Sequence, residues 1–281
     1  MQIVAEGLGF PEGPAWSERD RRLYFVDWPG NRVLSWDGRR VELVFSPAPG
    51  GGPSGLGLSA AGDFWLSLYD ARMLALYSRQ GAVLLEVTNY NGQPFRGVCD
   101  LAVDARGGVY FTDSGDFEED WRSGRPAGAV YYLAASGELR CVDRGLCFPN
   151  GLALALDGAT LYVNEHRRNR TLAYDLRPGE RFGPRRVFFV HDHQSLLAPQ
   201  AAFELGPDGA CLDGAGCVWV AHYGGGKLVQ VHPDGHLRRI VHLPRGRQPT
   251  NLAYSPQTRR LYVTEAEFGL LYEVACEDES G

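Results

Sequence analysis

Glu12, Ser54, Cys99, Asn150, Asp208 and Thr250 share a register. Each stands 11 or 12 residues ahead of the aromatic centre of a hydrophobic–aromatic–hydrophobic triplet. None is aliphatic, although an apolar run follows every one. Turn preference explains Asn, Asp, Ser and Thr at strand starts; it does not explain Glu12. Glu12, Asn150 and Asp208 together offer two carboxylates and an amide carbonyl, the oxygen donors a hard divalent cation takes. Carboxylates facing one another in a narrow channel repel unless a cation lies between them.

A second set lies three residues after each centre: Asp27, Leu68, Asp113, Glu165, His222 and Glu265. Asp27 and Asp113 are expected to accept hydrogen bonds from turn N–H groups. His222 follows a strand and precedes Gly224-Gly225-Gly226. An unperturbed imidazole titrates near neutral pH, so His222 is a candidate base. The stretch from Val190 to Leu205 is the longest excess over the repeat. It carries His191-Asp192-His193 and reads as a pocket wall.

The elements that must bring these residues together recur along the chain. The aromatic centres are Tyr24, Trp65, Tyr110, Tyr162, Trp219 and Tyr262, separated by 41, 45, 52, 57 and 43 residues. Each has an apolar strand upstream, a Gly- or Asp-containing turn, and a further strand pair downstream, which makes four strands per unit. Four-stranded units at this period are the sequence form of propeller blades. The expected fold is all-β, a six-bladed β-propeller of four-stranded blades filling residues 1–281 as one domain. Gln2-Ile3-Val4-Ala5 precedes the first unit and is expected to close the ring as the outer strand of the last blade. A solenoid would want polar caps at both ends, and a two-sheet sandwich leaves six registered repeats unexplained. On a ring, equivalent positions lie on one circle, so the six polar residues converge at the mouth of the central channel.

Composition agrees. The chain has 36 Gly and 17 Pro among 281 residues, as suits many tight turns. A net charge of −6 and only short arginine clusters argue against a nucleic-acid partner. No run approaches the length of a membrane span, and Met1–Phe10 lacks a basic start, so a cytoplasmic location with reduced thiols is expected. A monomer is compatible with this composition. Nucleophile elbows, phosphate loops and dinucleotide motifs are absent.

Several motifs resemble the SMP-30/gluconolactonase/LRE-like family, including its staphylococcal drug-responsive lactonases. They are Phe10-Pro-Glu-Gly-Pro-Ala-Trp16, Phe148-Pro-Asn-Gly-Leu-Ala-Leu154 and Gly206-Pro-Asp-Gly-Ala-Cys-Leu-Asp213, with Gly107–Asp113 and Val218–Gly224 in support. The resemblance covers nearly the whole chain. It implies a propeller with a divalent cation in the channel, calcium most often, with zinc, manganese, magnesium or iron in some members. It also implies hydrolysis of lactones, often sugar-acid lactones, with Glu12, Asn150 and Asp208 as metal ligands and Asp208 as base, to which the reading of the residues adds His222. Ser54, Cys99, Asp100 and Glu165 are the candidate substrate-binding residues, the last two by orienting the ligands. Two departures stand out: Cys99-Asp100 replaces the family's Asn-Asp or Asp-Asp, and Ser54 replaces a frequent Asn. A neutral thiol is a weaker hydrogen-bond partner than an amide, so a substrate less polar than a sugar lactone is expected. Arg96 lies near, but out of register with, an arginine that some members use for sugar lactones. Two rival readings are a hydrolase or cyclase acting on a non-sugar substrate, and a binding propeller whose metal is structural.

Overall fold

A computed structural model describes residues 1–176, 182–191 and 205–276. Six four-stranded antiparallel sheets stand around one axis as the blades of a propeller. Blade 1 runs outward through Pro11–Ser17, Arg22–Asp27, Arg32–Trp36 and Val41–Phe45. The inner strands of blades 2 to 5 are Pro53–Leu58, Val98–Val103, Pro149–Leu154 and Gly206–Leu212. Blade 6 takes Pro249–Ser255, Arg260–Glu265 and Leu270–Ala275 from the end of the chain, and Gln2–Ala5 from its beginning. Ile3 pairs with Tyr272 and Ala5 with Leu271, so the amino-terminal strand closes the ring as the repeat pattern demands. No helix among the described residues is long and apolar enough to cross a membrane, and no disulfide links the six cysteines.

The core lies between blades. Six apolar clusters fill the six blade interfaces, and all six aromatic centres of the repeat are buried in them. The cluster joining blade 6 to blade 1 packs Tyr262, Leu271 and Ala253 against Leu23, Phe25, Leu34 and Trp36. Each inner strand is paired on its outer side, and the packing between blades fixes its position around the axis.

Every inner strand departs from regular pairing with its neighbour at or beside the six-residue register. A bulge adds one residue to one strand and re-aims its side chains. Here it turns the start of each inner strand toward the axis. Gly13 shows how close the strands come: its φ is 50°, and a Cβ there would stand 2.7 Å from the Cα of Gly55 in blade 2. Only glycine meets both demands.

Candidate metal and active site

At one mouth of the channel lies a cavity of about 670 Å³. Its floor is built from five of the six register residues: Glu12, Ser54, Cys99, Asn150 and Asp208. The sixth, Thr250, is fully buried, and its hydroxyl donates to the Pro11 carbonyl at 2.7 Å. A β-branched residue with a backbone acceptor in reach stays in the blade; Gln248, two residues earlier, takes its place in the lining.

The three candidate ligands come from blades 1, 4 and 5 and touch one another or shared neighbours. Asn150 donates from Nδ2 to Asp208 Oδ1. The Cys99 thiol donates to Asn150 Oδ1 at 3.1 Å. Glu12 accepts its neighbour Gly13 N–H at 2.9 Å. Two buried side chains hold the ligand backbones: Asn164 donates to the Asp208 carbonyl at 2.7 Å and Thr112 to the Asn150 carbonyl at 2.9 Å.

The electrostatics of this floor are strained without a counter-charge. Burial, then the Asp208 and Asp100 carboxylates, pushes Glu12 well above the ordinary carboxylate range. Burial, then Asp100, does the same to Asp208. Burial, then Asp208 and Glu12, pushes the Cys99 thiol up, so it is a neutral donor. Carboxylates that resist ionisation, with an amide oxygen beside them and no basic side chain in the floor, are a donor set that suits a hard divalent cation.

Sequence candidates that miss the cavity have identifiable duties. Asp100 lies one residue deeper, in a second space of about 310 Å³ along the channel. It accepts Asn251 Nδ2 at 3.1 Å, a bond that spans the channel between opposite blades 3 and 6. Burial raises its pKa to about 7. Asp100 thus lies below the floor, within the channel. Glu165 accepts the Cys147 N–H at 2.8 Å and pairs with Arg170. Asp27, Asp113 and Glu265 likewise receive N–H groups of Phe10, Arg96 and Gln248, each at the approach to an inner strand. This set ties the turns together, and Glu165 is not among the residues that line the cavity. His222 is buried, with Nε2 at 3.0 Å from Asn169 Oδ1 and its ring 5.8 Å from that of His191. It is not among the residues that line the cavity. Asp192 and His193 lie outside the described residues. Ser54 does line the floor, but its hydroxyl donates to the Cys99 carbonyl at 2.7 Å.

The residues that do wall the cavity sit one position later. Four residues after their aromatic centres come Trp28, Tyr69, His166 and Tyr223, all lining residues. Trp28, Tyr69 and His166 stand just past the ends of their second strands, where the chain turns over the cavity, and Tyr223 is the last residue of its strand. His166 is the principal residue the sequence reading missed. It is 4% exposed, and neither ring nitrogen has a hydrogen-bond partner. Burial, then the Arg167 guanidinium, lowers its pKa to about 4.

A sequence model of the SMP-30/gluconolactonase/LRE-like region matches residues 10–267. The chain belongs to that family. Among its family relatives, a gluconolactonase of Zymomonas mobilis is 24% identical over 94% of this chain and 78% of its own length. Regucalcin of Pongo abelii is 27% identical over 95% of this chain and 87% of its own. The solved structure of a gluconolactonase from Xanthomonas campestris superposes with a TM-score of 0.79 at 26% identity, covering 97% of this chain and 88% of that one. A regucalcin of Agrobacterium tumefaciens, described as calcium-binding, shares the fold with a TM-score of 0.78 at 20% identity, over 97% of this chain and 92% of its own.

Proposed function

We propose that this chain is a divalent-cation-dependent hydrolase that opens lactones. The observation that carries the reading is the floor itself: buried Glu12 and Asp208 with half-buried Asn150, from three blades, together at the base of a substrate-sized cavity. A gluconolactonase relative and a gluconolactonase structure support the reaction class. Calcium is the cation the all-oxygen donor set favours; a softer ion would want Cys99 ionised, and burial keeps that thiol neutral.

When bound, the cation supplies Lewis-acid polarisation of a carbonyl and acidification of water. Glu12, Asn150 and Asp208 would hold it. Asp208 has one oxygen tied to Asn150 and one left to accept the proton of the attacking water. The Cys99 donor fixes which way the Asn150 amide turns. Neutral His166 carries one donor and one acceptor nitrogen, so it hands a hydrogen bond to the leaving ring oxygen without bringing a charge. Water adds to the carbonyl carbon, the ring C–O bond breaks, and one proton passes to the departing oxygen to give the hydroxy acid.

The test is a pH-stat assay on unsubstituted and substituted five- and six-membered lactones. Catalysed opening of at least one is the expected result. Saturable binding with no turnover of any would favour a binding propeller instead. His166→Phe is expected to lower kcat by about 100-fold with KM little changed, the size of effect expected when a positioned proton-handling group is lost. An unchanged kcat would remove His166 from the reaction.

A pH-linked stability change also follows. A carboxyl whose folded pKa is raised keeps a proton that the unfolded chain has lost, so stability falls as pH rises toward the folded value. Glu12, Asp208 and Asp100 are all raised. His166 and His191 are both lowered and so act in the opposite sense, but only below the unfolded histidine value of about 6.5. From about pH 6.5 toward about 7, where Asp100 titrates, the chelated protein should therefore lose Tm as pH rises. Calcium should raise Tm more at the upper end of that range than at the lower. A chelated protein whose Tm climbs across this range would contradict the buried-carboxylate account.

A further inference from the structure

The wall above the floor is aromatic on nearly every side. Phe10, Trp28 and Tyr69 form one arc, with ring pairs edge-on at 5.5 and 5.8 Å. A helical turn over Phe117–Trp121 carries two stacked rings 4.7 Å apart. From Trp121 the second arc continues through Phe148 and His166 to Tyr223, at centroid spacings of 6.4, 6.1 and 6.2 Å.

The polar atoms of this wall are largely committed elsewhere. Trp28 Nε1 donates to Asp70 Oδ2 at 2.9 Å, and the Tyr69 hydroxyl donates to the Gly115 carbonyl at 2.9 Å. Arg96 pairs with Glu119 and Asp120 and does not line the cavity. What the wall offers is ring surface. Gln248, His166 and Arg122 also line the cavity, the last paired with Glu118; against the aromatic arcs themselves a polyhydroxylated ring would bury hydroxyls without partners, and each such hydroxyl costs about 5- to 150-fold in binding or turnover. A planar apolar ring meets edges and faces that suit it.

We propose that the substrate carries an aromatic ring, seated in this collar while its ester carbonyl rests on the Glu12–Asn150–Asp208 floor. The proposal rests on the lactone-opening reading for its chemistry; the collar's preference for ring surface does not depend on turnover. The floor sets the reaction, and the collar sets what is accepted.

Three lactones of one ring size separate the possibilities: γ-butyrolactone, γ-phenyl-γ-butyrolactone and ribono-1,4-lactone. The expected order of kcat/KM places the phenyl compound at least about 100-fold above the ribonolactone, with most of the difference in KM. Trp28→Ala and Phe117→Ala, both at partly exposed positions, should each cut the phenyl preference over γ-butyrolactone about 3- to 10-fold, with Tm reporting that the variants fold. Ribonolactone turned over as well as the phenyl compound would overturn the proposal. If no lactone is opened, the hydrolase reading fails, and binding decides the collar alone. Quenching of tryptophan fluorescence should then still show the phenyl lactone binding at least about 10-fold more tightly than ribonolactone. Equal binding would reject the collar.

Discussion

Asp208→Asn should leave the propeller folded and lower kcat/KM for lactone opening by roughly a thousandfold or more. The substitution keeps the side-chain shape and the backbone carbonyl that Asn164 holds at 2.7 Å. It removes one of the two buried carboxylates at the floor and the group assigned to accept the water proton. Bound cation should be lost with activity. A second readout separates this from simple damage. Wild-type Asp208 is a carboxyl that burial and Asp100 push upward, so its ionisation destabilises the cation-free fold. Chelated Asp208→Asn should accordingly melt higher than chelated wild type near pH 8, and calcium should not raise it further. Glu12→Gln is expected to behave in the same way. Retention of full cation content in either variant would show that the site is misassigned.

Deleting residues 1–6 should destabilise the whole ring. Gln2–Ala5 supplies the outer strand of blade 6. Ile3 packs on the cluster between blades 5 and 6, and Val4 and Ala5 on the one between blades 6 and 1. Half-burial of these three side chains contributes about 3 kcal/mol, and for a chain of this size that is roughly 6–12 °C in Tm. The Leu270–Ala275 strand would also become an unpaired edge, a template for aggregation. A truncated protein that melts with the full chain and stays soluble would remove the closure argument.

The repeat made the ring legible because aromatic residues are large, apolar and placed once per blade. Tyr24, Trp65, Tyr110, Tyr162, Trp219 and Tyr262 all end in the interfaces between blades. The floor was legible for the same reason, since a closed ring converts sequence register into a circle. The wall was not. Asp27 and Asp113 accept backbone N–H groups at the inner-strand approaches, as their register suggests, and Glu165 and Glu265 do the same. One residue further on, Trp28, Tyr69, His166 and Tyr223 look like packing but line the cavity. Three of these four stand past the strand ends, where the period of a strand no longer says which way a side chain points. Thr250 shows the limit from the other side: its register is right, but a nearby carbonyl captures its hydroxyl. Phe117 and Trp121 sit in an insertion between the second and third strands of blade 3, where repeat alignment gives no position at all.

The account stands or falls on whether catalysis needs a cation held by the floor residues. The most direct measurement is lactone hydrolysis by exhaustively chelated protein, followed by back-titration with calcium while bound metal is counted. The account predicts no turnover in the chelated protein, with activity and Tm returning together and saturating at a single equivalent of calcium per chain. Full turnover from protein shown by elemental analysis to carry no divalent cation would contradict it.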